Sequence, residues 1–240
     1  MYKDFFNGSL DISDLVKSIK YKREFRKLHP TYFDPDGILV FCGSQGSGKT
    51  LSAVQYCQKL AFAYPNMILV TNINLDRSKF NNIRIYEYTD LHDLNRYSNG
   101  YDGVCFLIDE IQIEFNSLES KMIDPVVITE ISQQRKQRKH IVGTSQVFNR
   151  IAKPFREQFK MICMCKCFFG LIQFNKLVNG EDCIVDEAGQ VTCSHVRRKF
   201  WFHSPTLYKL YDTYAKVIRT NEVDFYGHPQ VVERKKLKNG

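Results

Sequence analysis

The residues Gly43, Ser44, Gln45, Gly46, Ser47, Gly48, Lys49 and Thr50 satisfy the pattern G-x-x-x-x-G-K-[ST] at every fixed position. Glycines allow a backbone turn tight enough for successive N–H groups to converge on phosphate oxygens, and a following helix adds the partial positive charge of its N-terminus. In that setting Lys49 reaches the β- and γ-phosphates of a nucleotide and the Thr50 hydroxyl is a magnesium ligand. The expected phosphate-contacting set therefore runs from Gly43 through Lys49 and Thr50 to Leu51, the next backbone amide. A second constellation is the carboxylate pair Asp109 and Glu110, which ends the apolar run Val104-Cys105-Phe106-Leu107-Ile108. Asp109 is the candidate to hold Mg2+ with Thr50, and Glu110 the candidate to orient and polarise an attacking water. A kinase, whose acceptor is a substrate oxygen, has less need of that second carboxylate.

Such chemistry requires strands that deliver both motifs to one edge of a sheet. The run Ile38-Leu39-Val40-Phe41-Cys42 reads as a buried strand before the loop, and residues 51–63 read as the helix after it, closed by Tyr64-Pro65-Asn66. Met67-Ile68-Leu69-Val70 is a second strand and Ile83-Arg84-Ile85-Tyr86 a weaker third. The run that ends in Asp109 fits a strand covered on both faces of a parallel sheet. Asp124-Pro125 is an N-cap followed by proline at N1, so a helix is expected from there toward Lys139. Ile141-Val142-Gly143-Thr144 is then a strand that should neighbour the Asp109 strand. Its polar end supplies Gln146, and secondarily Thr144 or Ser145, as a sensor of the γ-phosphate. This spacing favours the class of ATP-hydrolysing motors with an additional strand over small GTP switches.

Beyond residue 158 the alternation weakens. Residues 159–165, 168–174 and 176–178 are candidate strands, Ile184-Val185 and Val191-Thr192 suggest a hairpin, and Phe200-Trp201-Phe202 an edge strand. Ser204-Pro205 opens a helix carrying Leu207, Leu210, Tyr211 and Tyr214. Before the phosphate loop, residues 9–28 form an amphipathic helix that turns basic toward its end. The expected fold is α/β, a P-loop NTPase with a central, mostly parallel sheet, helices on both faces and a small C-terminal β-rich extension. The expected division is 1–36, an N-terminal basic helical extension; 37–203, the ATPase core with its hairpin extension; and 204–240, a C-terminal helix and basic tail.

Charge and cysteine content narrow the partners. Lys and Arg number 34 against 26 Asp and Glu, a net charge of +8 that favours nucleic acid or an anionic membrane surface as partner, although a basic surface also serves solubility. No apolar stretch is long enough to span a bilayer, and no secretory signal pattern opens the chain, so the eight cysteines are expected as reduced intracellular thiols. Cys163, Cys165 and Cys167 alternate on one strand face, and Cys183, Cys193 and His195 lie near the hairpin, but no C-x-x-C pair marks a zinc site. Arg135, Arg138, Arg150 and Arg156 are candidates to stabilise transferring phosphoryl charge from a neighbouring subunit, with Arg138 and Arg156 preferred.

The phosphate loop, Val70-Thr71-Asn72, Leu107-Ile108-Asp109-Glu110-Ile111-Gln112, the segment from Gln133 to His140 and Gly143-Thr144-Ser145-Gln146 together resemble the N-terminal ATPase domain of the zonular occludens toxin family. The resemblance covers about residues 37–170 and includes the assembly proteins of filamentous bacteriophages. It implies an ATP- and magnesium-dependent motor for viral or mobile-element DNA packaging, assembly or extrusion. It also implies a homo-oligomer or ring, a DNA partner, single-stranded DNA among the candidates, and a phage-assembly or membrane partner, in the host cytoplasm or on the cytoplasmic side of the inner membrane. A DNA helicase or replication accessory ATPase, a membrane-associated secretion motor and a slowly hydrolysing nucleotide-binding scaffold are the alternatives. The membrane span and outer domain usual in phage-assembly members have no counterpart in these 240 residues.

Overall fold

The computed structural model describes residues 12–115, 129, 131–134, 136–146, 148, 151, 153–185, 191–192 and 195–211. Among them ten strands form: β1 (Gly37–Cys42), β2 (Ile68–Thr71), β3 (Arg84–Glu87), β4 (Val104–Ile108), β5 (Lys139–Ser145), β6 (Phe159–Phe168), β7 (Ile172–Asn179), β8 (Ile184–Val185), β9 (Val191–Thr192) and β10 (His195–Phe202). Eight of them make one sheet in the order β10-β7-β6-β1-β5-β4-β2-β3, and β8 pairs with β9 as a separate hairpin. Strands β6, β1, β5, β4, β2 and β3 run parallel, whereas β7 and β10 extend the sheet as antiparallel neighbours of β6. A strand thus stands between the phosphate-loop strand β1 and the acidic strand β4, as the additional-strand expectation required.

Every residue of β2, β4 and β5 is buried, the consequence of cover on both faces. On one face lies α2 (Lys49–Ala63), whose Ala53, Val54, Cys57, Leu60 and Ala61 pack with Leu39, Phe41, Leu69, Leu107 and Val142. These positions recur at helical spacing and give α2 a single apolar stripe. The helix stops where the Tyr64 N–H bonds back to the Leu60 carbonyl, because Pro65 disfavours helical geometry at the residue before it. On the other face Ile111, Phe115, Ile131, Phe148, Ile151 and Phe155 cover Ile38, Val40, Phe106 and Ile108. Gly103, at φ +71°, is a position where glycine is required, since a Cβ there would meet the Phe33 ring at 2.2 Å.

Several elements differ from expectation. The helix expected to run toward Lys139 begins outside the described residues; residues 131–133 are helical, and by Lys139 the chain is already strand β5. Arg138 takes φ +56°, which ends helical geometry, and its carbonyl accepts from the Val104 N–H to start the β4–β5 ladder. Phe168 closes β6, and after a turn at Phe169 and Gly170, both at positive φ, Ile172–Asn179 form one strand, β7, in place of the two short strands expected over 168–174 and 176–178. The helix after Ser204 is a single turn, Pro205–Tyr208, after which Leu210 is buried and Tyr211 bridges to Leu75. Tyr214 and the C-terminal tail lie outside the described residues. The basic N-terminal helix is α1 (Ile12–Leu28), and it buries no residue; Ile12, Leu15, Val16 and Ile19 are exposed.

Candidate active site

The loop between β1 and α2 crosses the C-terminal edge of the sheet, with β6 on one side of β1 and β5 on the other. Its cradle is tight. The Gly43 N–H bonds to the Ser145 carbonyl, and a Cβ on Gly43 would meet Ser47 Oγ at 2.4 Å and the Cys165 carbonyl at 2.7 Å. Gly48, at φ +75°, precedes α2 and would clash with Gln173 Oε1 if it carried a side chain. Only glycine meets both demands, left-handed backbone and close approach. Lys49 is 7% exposed, and Ser47 Oγ is buried with no hydrogen-bond partner among the protein atoms.

The acidic strand meets this loop. Thr50 Oγ1 donates to Asp109 Oδ1 at 3.0 Å, and Thr144 Oγ1 donates to the same oxygen at 2.5 Å. Asn72, just past the end of β2, clamps the backbone of Asp109 on both sides: its Oδ1 accepts from the Asp109 N–H at 2.8 Å and its Nδ2 donates to the Asp109 carbonyl at 3.1 Å. Burial pushes the Asp109 carboxyl above its usual range; the hydrogen bonds from Thr144 and Thr50 counteract this, the Glu110 charge adds to it and Lys49 opposes it. A divalent cation would favour the ionised form. The donor set, a hydroxyl and a carboxylate oxygen beside a phosphate cradle, fits Mg2+, which usually takes few protein ligands and completes its shell with water and phosphate. Among the described residues no group of three His, Cys, Asp or Glu side chains gathers to hold a metal by itself.

Glu110 occupies left-handed backbone at φ 55°, ψ 47°, which costs a non-glycine residue on the order of 1–2 kcal/mol. The surroundings hold it there. Its N–H donates to Thr144 Oγ1 at 3.1 Å, Gln146 Nε2 donates to its Oε1 at 2.9 Å, and Gln112, on the short helix α4 (Ile111–Glu114) after α3 (Asp93–Arg96), donates to its Oε2. The carboxylate is thereby aimed and immobilised. Gln146 thus touches Glu110, while Thr144 bridges the Asp109 carboxylate and the Glu110 backbone.

The arginines lie elsewhere. Arg138 precedes β5 and Arg156 precedes β6, so both sit at the N-terminal edge of the sheet, opposite the chain's own phosphate loop. Arg138 stacks its guanidinium 4.1 Å from the Tyr32 ring centroid, and Arg156 lies 5.6 Å from that of Phe148 with its Nε buried and unbonded. Arg135 and Arg150 fall outside the described residues. Cys42, Cys57, Cys105, Cys163, Cys165 and Cys167 are free thiols, and burial raises the Cys42 and Cys57 thiols. Cys183 departs from the expected reduced state, being disulfide-bonded.

Three residues here had no motif to announce them. Asn72 and Gln112 stood only within longer strings, and Gln173 only as a polar break in an apolar run. Yet Gln173 is fully buried, donates to the Ser47 carbonyl at 2.9 Å, and through Oε1 meets His203 Nε2 at 3.2 Å. A buried amide inside an alternating strand is the one signal that pointed to it.

Strand order, glycine cradle and acidic strand define an α/β fold of the P-loop NTPase class. Residues 37–216 match the family described as zonular occludens toxin (Zot), and the chain belongs to that family. Its structure is similar to the N-terminal domain of zonular occludens toxin from Neisseria meningitidis, with TM-score 0.52 and 17% identity over 75% of this chain and 100% of that one. It also matches the genome-packaging NTPase B204 from Sulfolobus turreted icosahedral virus 2 in complex with ATP-gammaS, with TM-score 0.49 and 14% identity over 66% of this chain and 96% of that one. No curated protein matches the chain in sequence. Among the described residues no helix is long and apolar enough to cross a membrane.

Proposed function

We propose that this protein hydrolyses ATP with Mg2+ to drive viral or mobile-element DNA packaging, assembly or extrusion. The observation that carries the reading is the hydrogen-bonded chain from Thr50 through Asp109 and Thr144 to Glu110 and Gln146, which links the phosphate cradle to an aimed carboxylate. In this reading Lys49 neutralises phosphate charge, Thr50 and Asp109 hold the metal, and Glu110 orients water in line with the γ-phosphate. When bound, Mg2+ supplies charge stabilisation at the phosphate oxygens. Gln146 and Thr144 tie the position of Glu110 to the end of β5. DNA, a ring of like subunits, and the host cytoplasm or the cytoplasmic side of the inner membrane belong to the same proposal. So does the division at residues 36 and 203.

ATP binding and phosphate release, each measured with and without DNA, test it. Glu110→Gln should retain ATP yet lose turnover by roughly two to three orders of magnitude, the range for removing one preorganised group. Lys49→Ala should lose binding and turnover together. Normal turnover in Glu110→Gln removes that residue from the chemistry. Since Arg138 and Arg156 lie at the edge away from the chain's own loop, they act on phosphate only from an adjacent subunit. Mixing Arg138→Ala or Arg156→Ala chains with Lys49→Ala chains should then restore activity at interfaces joining an intact Lys49 to an intact arginine. Verified mixed rings without recovery exclude both arginines.

A further inference from the structure

The wing formed by β6, β7 and β10 has two unlike faces. Antiparallel partners directly opposite one another project to the same side of a sheet, so the register defines each face row by row. On one side stand three rows: Met164, Lys176 and Arg198; Lys166, Phe174 and Phe200; Phe168, Ile172 and Phe202. On the other side β7 presents Gln173 and Asn175, which bond to Ser47 and Ser52 of the phosphate loop and α2.

Among the described residues nothing covers the upper rows of the first face. Phe200 is 71% exposed and Phe202 69%, with Phe168, Lys166 and Arg198 exposed and Phe174 and Lys176 half-buried. A soluble sheet face normally alternates toward polar residues where it meets water; here four phenylalanines do so instead. Three cations intersperse them, and none of the nine positions carries a carboxylate. Exposed rings on antiparallel strands, flanked by lysine and arginine, offer stacking platforms to bases and counter-charges to the backbone that joins them. A duplex keeps its bases stacked inside and cannot use the rings.

We infer that this face binds single-stranded DNA by stacking bases on Phe168, Phe200 and Phe202 while Lys166, Lys176 and Arg198 neutralise phosphates. The inference deepens the DNA-motor reading and rests on it for the choice of DNA. It also supplies a route between the two ligands, because β7 carries Phe174 toward the DNA face and Gln173 to the Ser47 carbonyl on the reverse. A shift of one residue along β7 is felt at both. The contact is sequence-tolerant, since every base has a π-face.

The test is fluorescence anisotropy of a labelled oligothymidylate of about 20 nucleotides, long enough for a site of this kind, against a duplex of equal length, without nucleotide. Phe200→Leu with Phe202→Leu keeps apolar bulk but removes the rings, and should weaken oligothymidylate binding by about tenfold or more. Phe200→Tyr with Phe202→Tyr should stay near the parent. Arg198→Ala should lower the slope of log affinity against log salt by about 0.7, the value for one phosphate on a single strand. Emission of Trp201, the single tryptophan, and the urea midpoint verify that each variant is folded. Unchanged affinity in the leucine pair overturns the proposal. So does a loss shared equally by the tyrosine pair with a fall in oligomer mass, which makes the face a subunit contact. Loss of sedimentation with anionic vesicles while oligothymidylate binding is kept overturns it in favour of a lipid surface. Ring-dependent DNA binding in a chain that hydrolyses no ATP sinks the motor reading alone, whereas DNA-stimulated hydrolysis with ring-independent binding sinks this surface alone.

Discussion

The parallel centre and the antiparallel wing both carry large aromatic side chains, yet they bury them in opposite ways. Phe106, midway along β4, is fully buried between layers, whereas Phe200, toward the end of β10, is mostly exposed on an edge strand. The centre has α2 on one face and the Ile111 to Phe155 cluster on the other; that cluster also takes in Ile162 and Val178 at the wing's lower rows, whereas the wing's upper rows are backed by the phosphate loop and α2 alone among the described residues. The difference teaches that the sheet divides its labour by cover. Where both faces are covered, strands hold Asp109, Glu110 and Thr144 rigidly at or beside their ends. Where one face is open, a strand is free to meet a ligand there and still touch the glycine loop from behind.

Substitution at the two phenylalanines tests this division most strongly. Phe106→Ala should cost about 3–5 kcal/mol in urea unfolding, the range for a large ring removed from a core, while Phe200→Ala should stay within about 0.5 kcal/mol. Comparable losses at the two positions would break the contrast.

A second effect belongs to the centre alone. His140, in β5, is buried between the Tyr56 hydroxyl at 3.0 Å and the Gly37 carbonyl at 2.9 Å. Burial lowers its pKa to about 4, although the Gly37 carbonyl and Asp36 favour the charged form; Lys160 adds to the lowering. The unfolded chain therefore takes up a proton near pH 6.5 that the folded chain refuses until about pH 4. Stability from this group is full above pH 6.5 and falls as pH drops toward 4, by up to about 3 kcal/mol. Urea midpoints measured at descending pH should show the decline, and His140→Gln should flatten it; an equally steep decline in the variant would assign the loss to other groups.

The smallest effect probes the join between the two regions. Gln173→Ala leaves the Ser47 carbonyl and His203 without their amide partner, and should lower stability by about 1–2 kcal/mol. ATP affinity should weaken by about fivefold, since the cradle loses one support and no phosphate ligand. Calorimetric titration checks this. An unchanged nucleotide affinity would mean that the wing and the loop are adjacent without being coupled.

Much of the centre was legible in the chain itself. A glycine loop between an apolar run and a helix has a single physical use at that spacing, and the continuous run before Asp109 matches β4 residue for residue. The same logic failed at residues 129–139, where helical charge patterning continues past the true end of the helix. The cause is the pairing of β5 with β4, which draws Lys139 into the ladder, and no local preference records it. It failed again along β7, which was broken at Asn175 because a polar residue there looks like an interruption until its partners, Ser52 and Gln173, are known.

By itself the sequence marked the glycine loop, the carboxylate pair and the order of strands and helices around them, because these depend on local periodicity and fixed spacing. Only the tertiary structure decided which side chains support that chemistry. Asn72 lies 37 residues from Asp109, and Gln173 lies 126 from Ser47, so each partnership exists only once the strands lie side by side. The bare aromatic face is likewise a product of register: Phe168, Phe200 and Phe202 become one surface because β6, β7 and β10 pair in phase, and a slip of one residue would turn Phe202 toward the phosphate loop.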